Sequence, residues 1–169
     1  VKKPTKVSHI TLASPETLPH ITDIAARTWK VAYKDILSQE QISYMLEQMY
    51  APTTLLRRLQ QGSLFYLISE EQVPMGFAEV ELNINDTEAK LHKIYVLPEA
   101  QGRNMGLQLL DQVKTVAAEH RQKVLLLNVN RHNRAKHFYE KQGFTVLKEE
   151  DIDIGNGYYM NDYVMQYLF

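Results

Sequence analysis

Residues 92–110, HKIYVLPEAQGRNMGLQLL, restrict the fold more than any other stretch of this chain. Ile94, Tyr95, Val96 and Leu97 are β-branched, aromatic or apolar in succession, which predicts a strand. Pro98 has no N–H to give a ladder and ends it. A polar turn through Gln101, Gly102, Arg103, Asn104, Met105 and Gly106 leads into a helix, because Met105, Leu109, Val113, Val116 and Ala117 recur every three or four residues. A strand, a glycine-containing turn and a helix start form an anion site. The first helix N–H groups and the turn amides converge there, and the helix dipole favours negative charge. A phosphate-bearing ligand is expected at this point.

Spacing narrows the choice of ligand. No GxxxxGK[ST] run follows a strand and no GxGxxG is present, which argues against a P-loop and against a dinucleotide fingerprint. The run Gln101-x-x-Asn104-x-Gly106, following Ile94-Tyr95-Val96, resembles the Q/R-x-x-G-x-G/A signature of the GCN5-related N-acetyltransferases. Asn104 stands where that signature usually has glycine. Asparagine visits the left-handed backbone region more readily than most residues, so the turn is expected to survive.

A second segment strengthens the resemblance. Residues 124–127, VLLL, read as a strand buried on both faces, and it ends in Asn128-Val129-Asn130. Asn133 is a suitable N-cap for a short helix carrying Arg134, Ala135, Phe138 and Tyr139, with Gly143 at its C′ position. The string NVNRHNRAKHFYEKQGF is similar to the family's N-x-A-x-x-F-Y-x-x-x-G-F. Two motifs in the right order, separated by one helix and one strand, are far more specific than either alone.

Composition agrees with a single α/β domain over residues 1–169, long enough to bury a core and too short to suggest two. A net charge of −1 gives no electrostatic reason to expect nucleic acid or an anionic membrane. No apolar run approaches the roughly 20 residues of a membrane span and no signal peptide is visible, so a cytoplasmic protein is expected. The chain has no cysteine, which removes disulfides, thiolate metal sites and a cysteine nucleophile.

Taken in order, residues 7–12 read as a strand, and Ser14-Pro15 as a cap with proline at the first helical position. Leu18, Ile21, Ile24, Ala25, Trp29 and Ala32 then form a helical stripe. Ser38 and Gln41 have capping-box spacing and open a second helix through Ile42, Met45, Leu46 and Met49. Pro52 starts a third through Leu55, Leu56 and Leu59. Residues 64–68 read as a strand, and residues 76–82 as a half-exposed one by their alternation. Residues 145–148 and 158–168 read as closing strands.

The resemblance implies a mixed sheet of about seven strands, splayed between the fourth and fifth and flanked by helices. It implies acetyl-CoA as co-substrate, with no metal, and transfer of the acetyl group to an amine. The implied cofactor residues are Ile94, Tyr95, Val96, Gln101, Gly102, Arg103, Asn104, Met105, Gly106, Asn133, Lys136 and Tyr139. Pantetheine would pair with backbone groups of Ile94 and Val96, the Val96 amide would hold the developing oxyanion, and Tyr139 would give a proton to sulfur. The competing use of Tyr139 is as an aromatic on a packed helix face.

An amine arrives protonated and must lose a proton before attack. His92 titrates near ~6.5 and suits that work. Strand alternation would turn it to the face of Ile94 and Val96. Glu79 and Glu81 are rivals, as is a water relay, and a surface-bonded strand histidine is the plain alternative. With no cysteine and no Gly-x-Ser-x-Gly elbow, direct attack by the amine is favoured over an acyl-enzyme.

The family walls its acceptor site with the first two helices and the closing strands. Here those carry Trp29, Tyr33, Asp35, Tyr44, Tyr50, Tyr158, Tyr159 and Asp162. Aromatic faces and carboxylates suit a cationic amine. The strings TWKVAYKDILSQEQISYMLEQMY and YYMNDYVM look like those of bacterial spermidine/spermine N-acetyltransferases. Trp29, Tyr33, Glu79 and Tyr159 are the candidate substrate contacts; packing of helices or of a homodimer is the competing use of the tyrosines. A small-molecule amine, polyamine first, is therefore the expected acceptor. A protein or peptide N-acetyltransferase and a non-catalytic acyl-CoA-binding regulator are the alternatives.

Overall fold

The computed structural model describes residues 6–169, so the first five residues of the single-domain expectation lie outside it. Seven strands form one sheet in the order β1-β2-β3-β4-β5-β7-β6. The strands are β1 (Ser8–Leu12), β2 (Leu64–Glu70), β3 (Val73–Asn85), β4 (Glu88–Val96), β5 (Val124–Asn130), β6 (Thr145–Gly155) and β7 (Tyr158–Leu168). The helices are α1 (Leu18–Ala32), α2 (Gln39–Tyr50), α3 (Pro52–Gln60), α4 (Met105–Glu119) and α5 (Ala135–Lys141). Every neighbouring pair is antiparallel except β4 and β5, which run parallel across the α4 crossover. The mixed, seven-stranded α/β architecture expected from the sequence is present.

Helix α1 packs on β3 and β4 from one side and α4 covers β2, β3 and β4 from the other. Phe77, Ala78, Glu79 and Val80 are consequently all fully buried, so β3 is not half-exposed over those residues. Helix α1 begins at Leu18 rather than at Pro15. Ser14 and Thr17 satisfy one another: the Ser14 N–H donates to Thr17 Oγ1 at 2.9 Å and the hydroxyl returns to the Ser14 carbonyl. That local turn outcompetes the helix, and Pro19 takes the place in the first turn expected of Pro15. Ser38 caps α2 as its spacing predicts, accepting from the Gln41 N–H at 3.1 Å. Strand β6 runs past Lys148 to Gly155, and Asn156 and Gly157, both at positive φ, turn it into β7. Its run of acidic residues is that of a charged edge strand rather than a loop.

A β-bulge interrupts β4. Lys93 is opposite Glu79 and Leu91 is opposite Val80, which leaves His92 as the extra residue. Beside the bulge the buried Glu79 carboxylate accepts from Lys93 Nζ at 2.7 Å, Arg58 Nε at 2.5 Å and Ser63 Oγ at 2.6 Å. Burial pushes the Glu79 carboxyl up, but the Lys93 charge and these hydrogen bonds outweigh it and hold the group below its ordinary value.

Glu79→Ala strands the Lys93 ammonium in the core and should cost about 3–5 kcal/mol in denaturant unfolding. Because the folded carboxyl sits below its unfolded value, its contribution is complete above about pH 4.3 and fades as pH falls through the folded value. Wild type should therefore lose stability in acid more steeply than Glu79→Gln, as read from melting curves. Equal acid sensitivity in the two would contradict the assignment.

Candidate active site

Strands β4 and β5 pair over only four rungs, from Glu88–Val124 to Leu91–Leu127. Beyond Leu91 and Leu127 they part, and the opening is a cleft of about 970 Å³. His92, Ile94, Tyr95, Val96 and Gln101 line one side, Asn128, Asn133 and Tyr139 the other, and Tyr33 and Asp35 close it from the end of α1. The splay expected between the fourth and fifth strands is thus present, and the three expected catalytic residues His92, Val96 and Tyr139 all border it.

Backbone direction decides what the cleft offers. The Leu97 N–H donates to the Met75 carbonyl on the β3 side at 2.8 Å. N–H groups alternate along a strand, so those of Val96 and Ile94 point the other way, into the opening. At the cleft's outer end the chain passes a single 3₁₀ turn (Pro98–Ala100) and enters α4. Gly102 has φ +82° and Asn104 φ +60°, so asparagine does adopt the left-handed geometry this turn demands. Gln108 donates to the Asn104 carbonyl, and no backbone N–H from Gly102 to Leu107 donates to a protein acceptor among the described residues. Six successive unbonded amides at the head of a helix are an anion nest. The backbone groups and the room available both fit a ligand combining an extended amide-bearing arm with a diphosphate.

Side chains expected at the cofactor diverge in position. Met105 is buried in the core, and Arg103 donates to the buried Glu70 carboxylate at 2.6 Å. Arg27 bonds Glu99 beside it. Both cations pin the turn from behind. Gly106 would admit a methyl group, whose only near neighbour is Val96 at 3.9 Å. Asn133 accepts from the Ala135 N–H at 2.9 Å in an Asx turn that leads into α5, whose N-cap is Arg134 rather than the expected Asn133. Lys136 is not on the cleft wall: it pairs with Glu140 at 3.3 Å and lies over the Tyr163 ring.

Of the candidate substrate residues, Tyr33 alone lines the opening. Trp29 is core, its indole N–H donating to the Tyr50 hydroxyl at 3.3 Å. Glu79 has both oxygens engaged in the buried ion pairs, and Tyr159 is exposed elsewhere on β7, its carbonyl taken by Gln41. Tyr44 and Tyr158 pack on each other at 5.4 Å. Most of the aromatic residues read as an amine wall therefore hold α1 and α2 to the sheet.

The bulge changes the face of His92. Its Nε2 meets Glu81 Oε2 at 2.7 Å, and Glu81 shares the α1 face with Glu79. His92 thus lies opposite Ile94 and Val96 rather than with them, because the extra residue breaks strand alternation. Burial lowers its pKa, and the bond to Glu81 only partly restores it. Burial likewise raises the Tyr139 phenol well above its ordinary range, with a smaller contribution from Tyr33. Among the described residues the Tyr139 hydroxyl has no hydrogen-bond partner, and it stays protonated at neutral pH. Two residues were not singled out from sequence: Lys93, buried beside the bulge against Glu79, and Asn128, the first of two asparagines at the end of an otherwise apolar strand.

A family model described as an acetyltransferase (GNAT) domain matches residues 33–165. The chain belongs to the GCN5-related N-acetyltransferases. It is similar to the spermidine N(1)-acetyltransferase of Thermoplasma acidophilum, 29% identical over 146 residues that cover 83% of this chain and 88% of that one. An uncharacterized N-acetyltransferase of Mycobacterium tuberculosis is 26% identical over 143 residues, covering 84% of this chain and 91% of its own. Among solved structures, the PaiA N-acetyltransferase from T. acidophilum, crystallised with coenzyme A, superposes with TM-score 0.82 at 27% identity, covering 96% and 99% of the two chains. A GCN5-related N-acetyltransferase from Rhodopseudomonas palustris shares the fold at TM-score 0.83 and 20% identity, with 99% of each chain covered. The protein is an N-acetyltransferase. Among the described residues no helix is long and apolar enough to cross a membrane.

His92 should titrate below the ordinary histidine value in a ring-proton NMR series. Glu81→Gln replaces the carboxylate that favours the protonated ring with a neutral acceptor and should lower the midpoint further. An upward shift in Glu81→Gln would overturn this account of the pair.

Proposed function

We propose that the protein transfers the acetyl group of acetyl-CoA to a primary amine of a small molecule, with polyamines the first class to test. The observation that carries this reading is the parting of β4 from β5: two inward-facing amides lead to six unbonded ones at the head of α4. Bound there, acetyl-CoA supplies a thioester carbonyl that gathers negative charge as an amine adds to it. The amides of Gly102 to Leu107 hold the diphosphate. The Val96 amide, nearer that end, takes a carbonyl of the pantetheine arm. The Ile94 amide lies two residues from His92 and is better placed than Val96 for the reacting carbonyl, a shift of one strand period from the residue expected by resemblance.

His92, neutral at pH 7 and held by Glu81, takes the ammonium proton directly or through one water. Tyr139 offers its hydroxyl to the departing sulfur. Tyr33 and Asp35, on the same cleft, present a ring face and a carboxylate to a cationic amine. Support for a polyamine comes from the similarity to the Thermoplasma spermidine N(1)-acetyltransferase.

Free-thiol release from acetyl-CoA, followed over a panel of amines and an N-terminal peptide, tests the reading. Release with small diamines and polyamines supports it, and release with the peptide alone replaces it by protein acetylation. CoA at ~100 times its dissociation constant should add about 2.7 kcal/mol to stability. Tyr139→Phe should lower kcat by about 10²-fold with that melting shift retained. Full activity in Tyr139→Phe would return the tyrosine to a packing role.

A further inference from the structure

His92 and Asn128 are the first residues past the last rung between β4 and β5, so they stand level with each other across the opening. Alternation from Leu127 turns Asn128 to the α1 face, the face on which His92 meets Glu81. Behind Asn128 lies Asp162 on β7, directly opposite Asn130 and 5% exposed. The Asn128 Nδ2 donates to Asp162 Oδ2 at 3.3 Å. An ionised carboxylate only accepts, so the amide nitrogen must be the atom facing it. The amide's carbonyl oxygen is left over. It has no protein partner among the described residues and is not among the buried unpaired atoms, so it is reachable from the cleft that Asn128 lines.

Asp162 itself is poorly satisfied for a buried acid. Its Oδ1 is the one buried side-chain polar atom without a partner among the described residues. Burial raises its pKa, opposed by the Asn128 bond and by the charges of Lys90 and Arg131, and aided by Glu150. Burial raises the Tyr33 phenol, and Asp162 is near enough for its charge to add a smaller push in the same direction. A buried carboxylate with one oxygen orphaned costs stability that an amide of the same shape would not. Its chemical consequence is to fix one orientation of Asn128 and to set negative charge one hydrogen bond behind the cleft wall.

We propose that Asn128 is the residue that orients the acceptor amine, its Oδ1 accepting from the ammonium and then from the attacking amine, and that Asp162 is the positioning residue that aims it. The inference rests on the amine-acetyltransferase reading above and adds where the amine nitrogen sits: between Asn128 on β5 and His92 on β4. A primary amine keeps two N–H groups after His92 removes a proton. One bonded to Asn128 leaves the lone pair free to address the carbonyl held by β4.

The test uses the full chain, with spermidine as the amine probe and CoA as the binding probe. Asp162→Asn keeps the shape but lets either end of residue 128 face it. Its melting temperature should hold or rise, its melting shift with CoA should persist, and kcat/KM for spermidine should fall about 10- to 100-fold. Asn128→Ala, at a partly buried position on the cleft wall, should show the same fall, mostly in KM. A merely structural Asp162 predicts instead a lower melting temperature and a matching loss of CoA binding, and that result overturns the proposal. Unchanged spermidine kinetics in both variants also overturns it, while wild-type activity and CoA binding leave the amine-acetyltransferase reading standing. Wild type that neither binds CoA nor acetylates any amine removes both.

Discussion

Leu91 and Leu127 form the last rung between β4 and β5, and the site depends on that pairing going no further. Each strand keeps one full partner: β4 stays with β3 as far as Val96, and β5 stays with β7 over its whole length. The two pairs diverge, and the amides of Ile94 and Val96 are left facing water in the gap. An unpaired backbone group sealed in the interior costs about 1–3 kcal/mol, so the gap must stay wet or filled. Filling it with an extended arm that carries amides restores the missing ladder without moving either strand. The binding slot is therefore a sheet with one strand left out.

Rigidity around the gap comes from groups that never touch it. Glu79, Lys93 and Arg58 lock the bulge from the α1 side, and Trp29, Tyr33 and Phe77 surround the Tyr95 ring. Arg103 spends its charge on Glu70 and Arg27 on Glu99. The turn before α4 consequently offers an anion backbone N–H groups rather than mobile guanidinium groups. Ion pairs that hold the turn in this shape would lower the ordering cost of binding.

What the sequence disclosed, and what it withheld, follows from the range of each interaction. The β4–turn–α4 unit and the Asn133–Gly143 unit are governed by neighbours within a few residues: proline, glycine, left-handed asparagine and an Asx turn. Both were legible for that reason. The β3 alternation was misleading because burial on two faces depends on α1 and α4, which are distant in the chain. The face of His92 was misread for a sharper reason. One inserted residue opposite Glu79 reverses every later side chain on β4, and nothing in HKIYV marks it. The tyrosines of α1, α2 and β7 were ambiguous because packing and ligand binding favour the same side chains. Only their partners separate the two uses.

The environment of Tyr139 constrains how it would serve the leaving group. A thiol of ordinary acidity, pKa ~8.5, lies below a free phenol at ~10, so full proton transfer from phenol to thiolate is uphill by about 2 kcal/mol before burial is counted. Burial raises the Tyr139 phenol further, which enlarges that gap. In the reaction proposed above its hydroxyl would therefore donate a hydrogen bond to developing charge on sulfur, and solvent at the cleft mouth would supply the final proton. A low-pKa acid would add nothing here, because the thiolate is already a competent leaving group. What the departing sulfur would lack in a desolvated gap is a partner, and a buried phenol with no hydrogen bond to any other described residue is suited to be one.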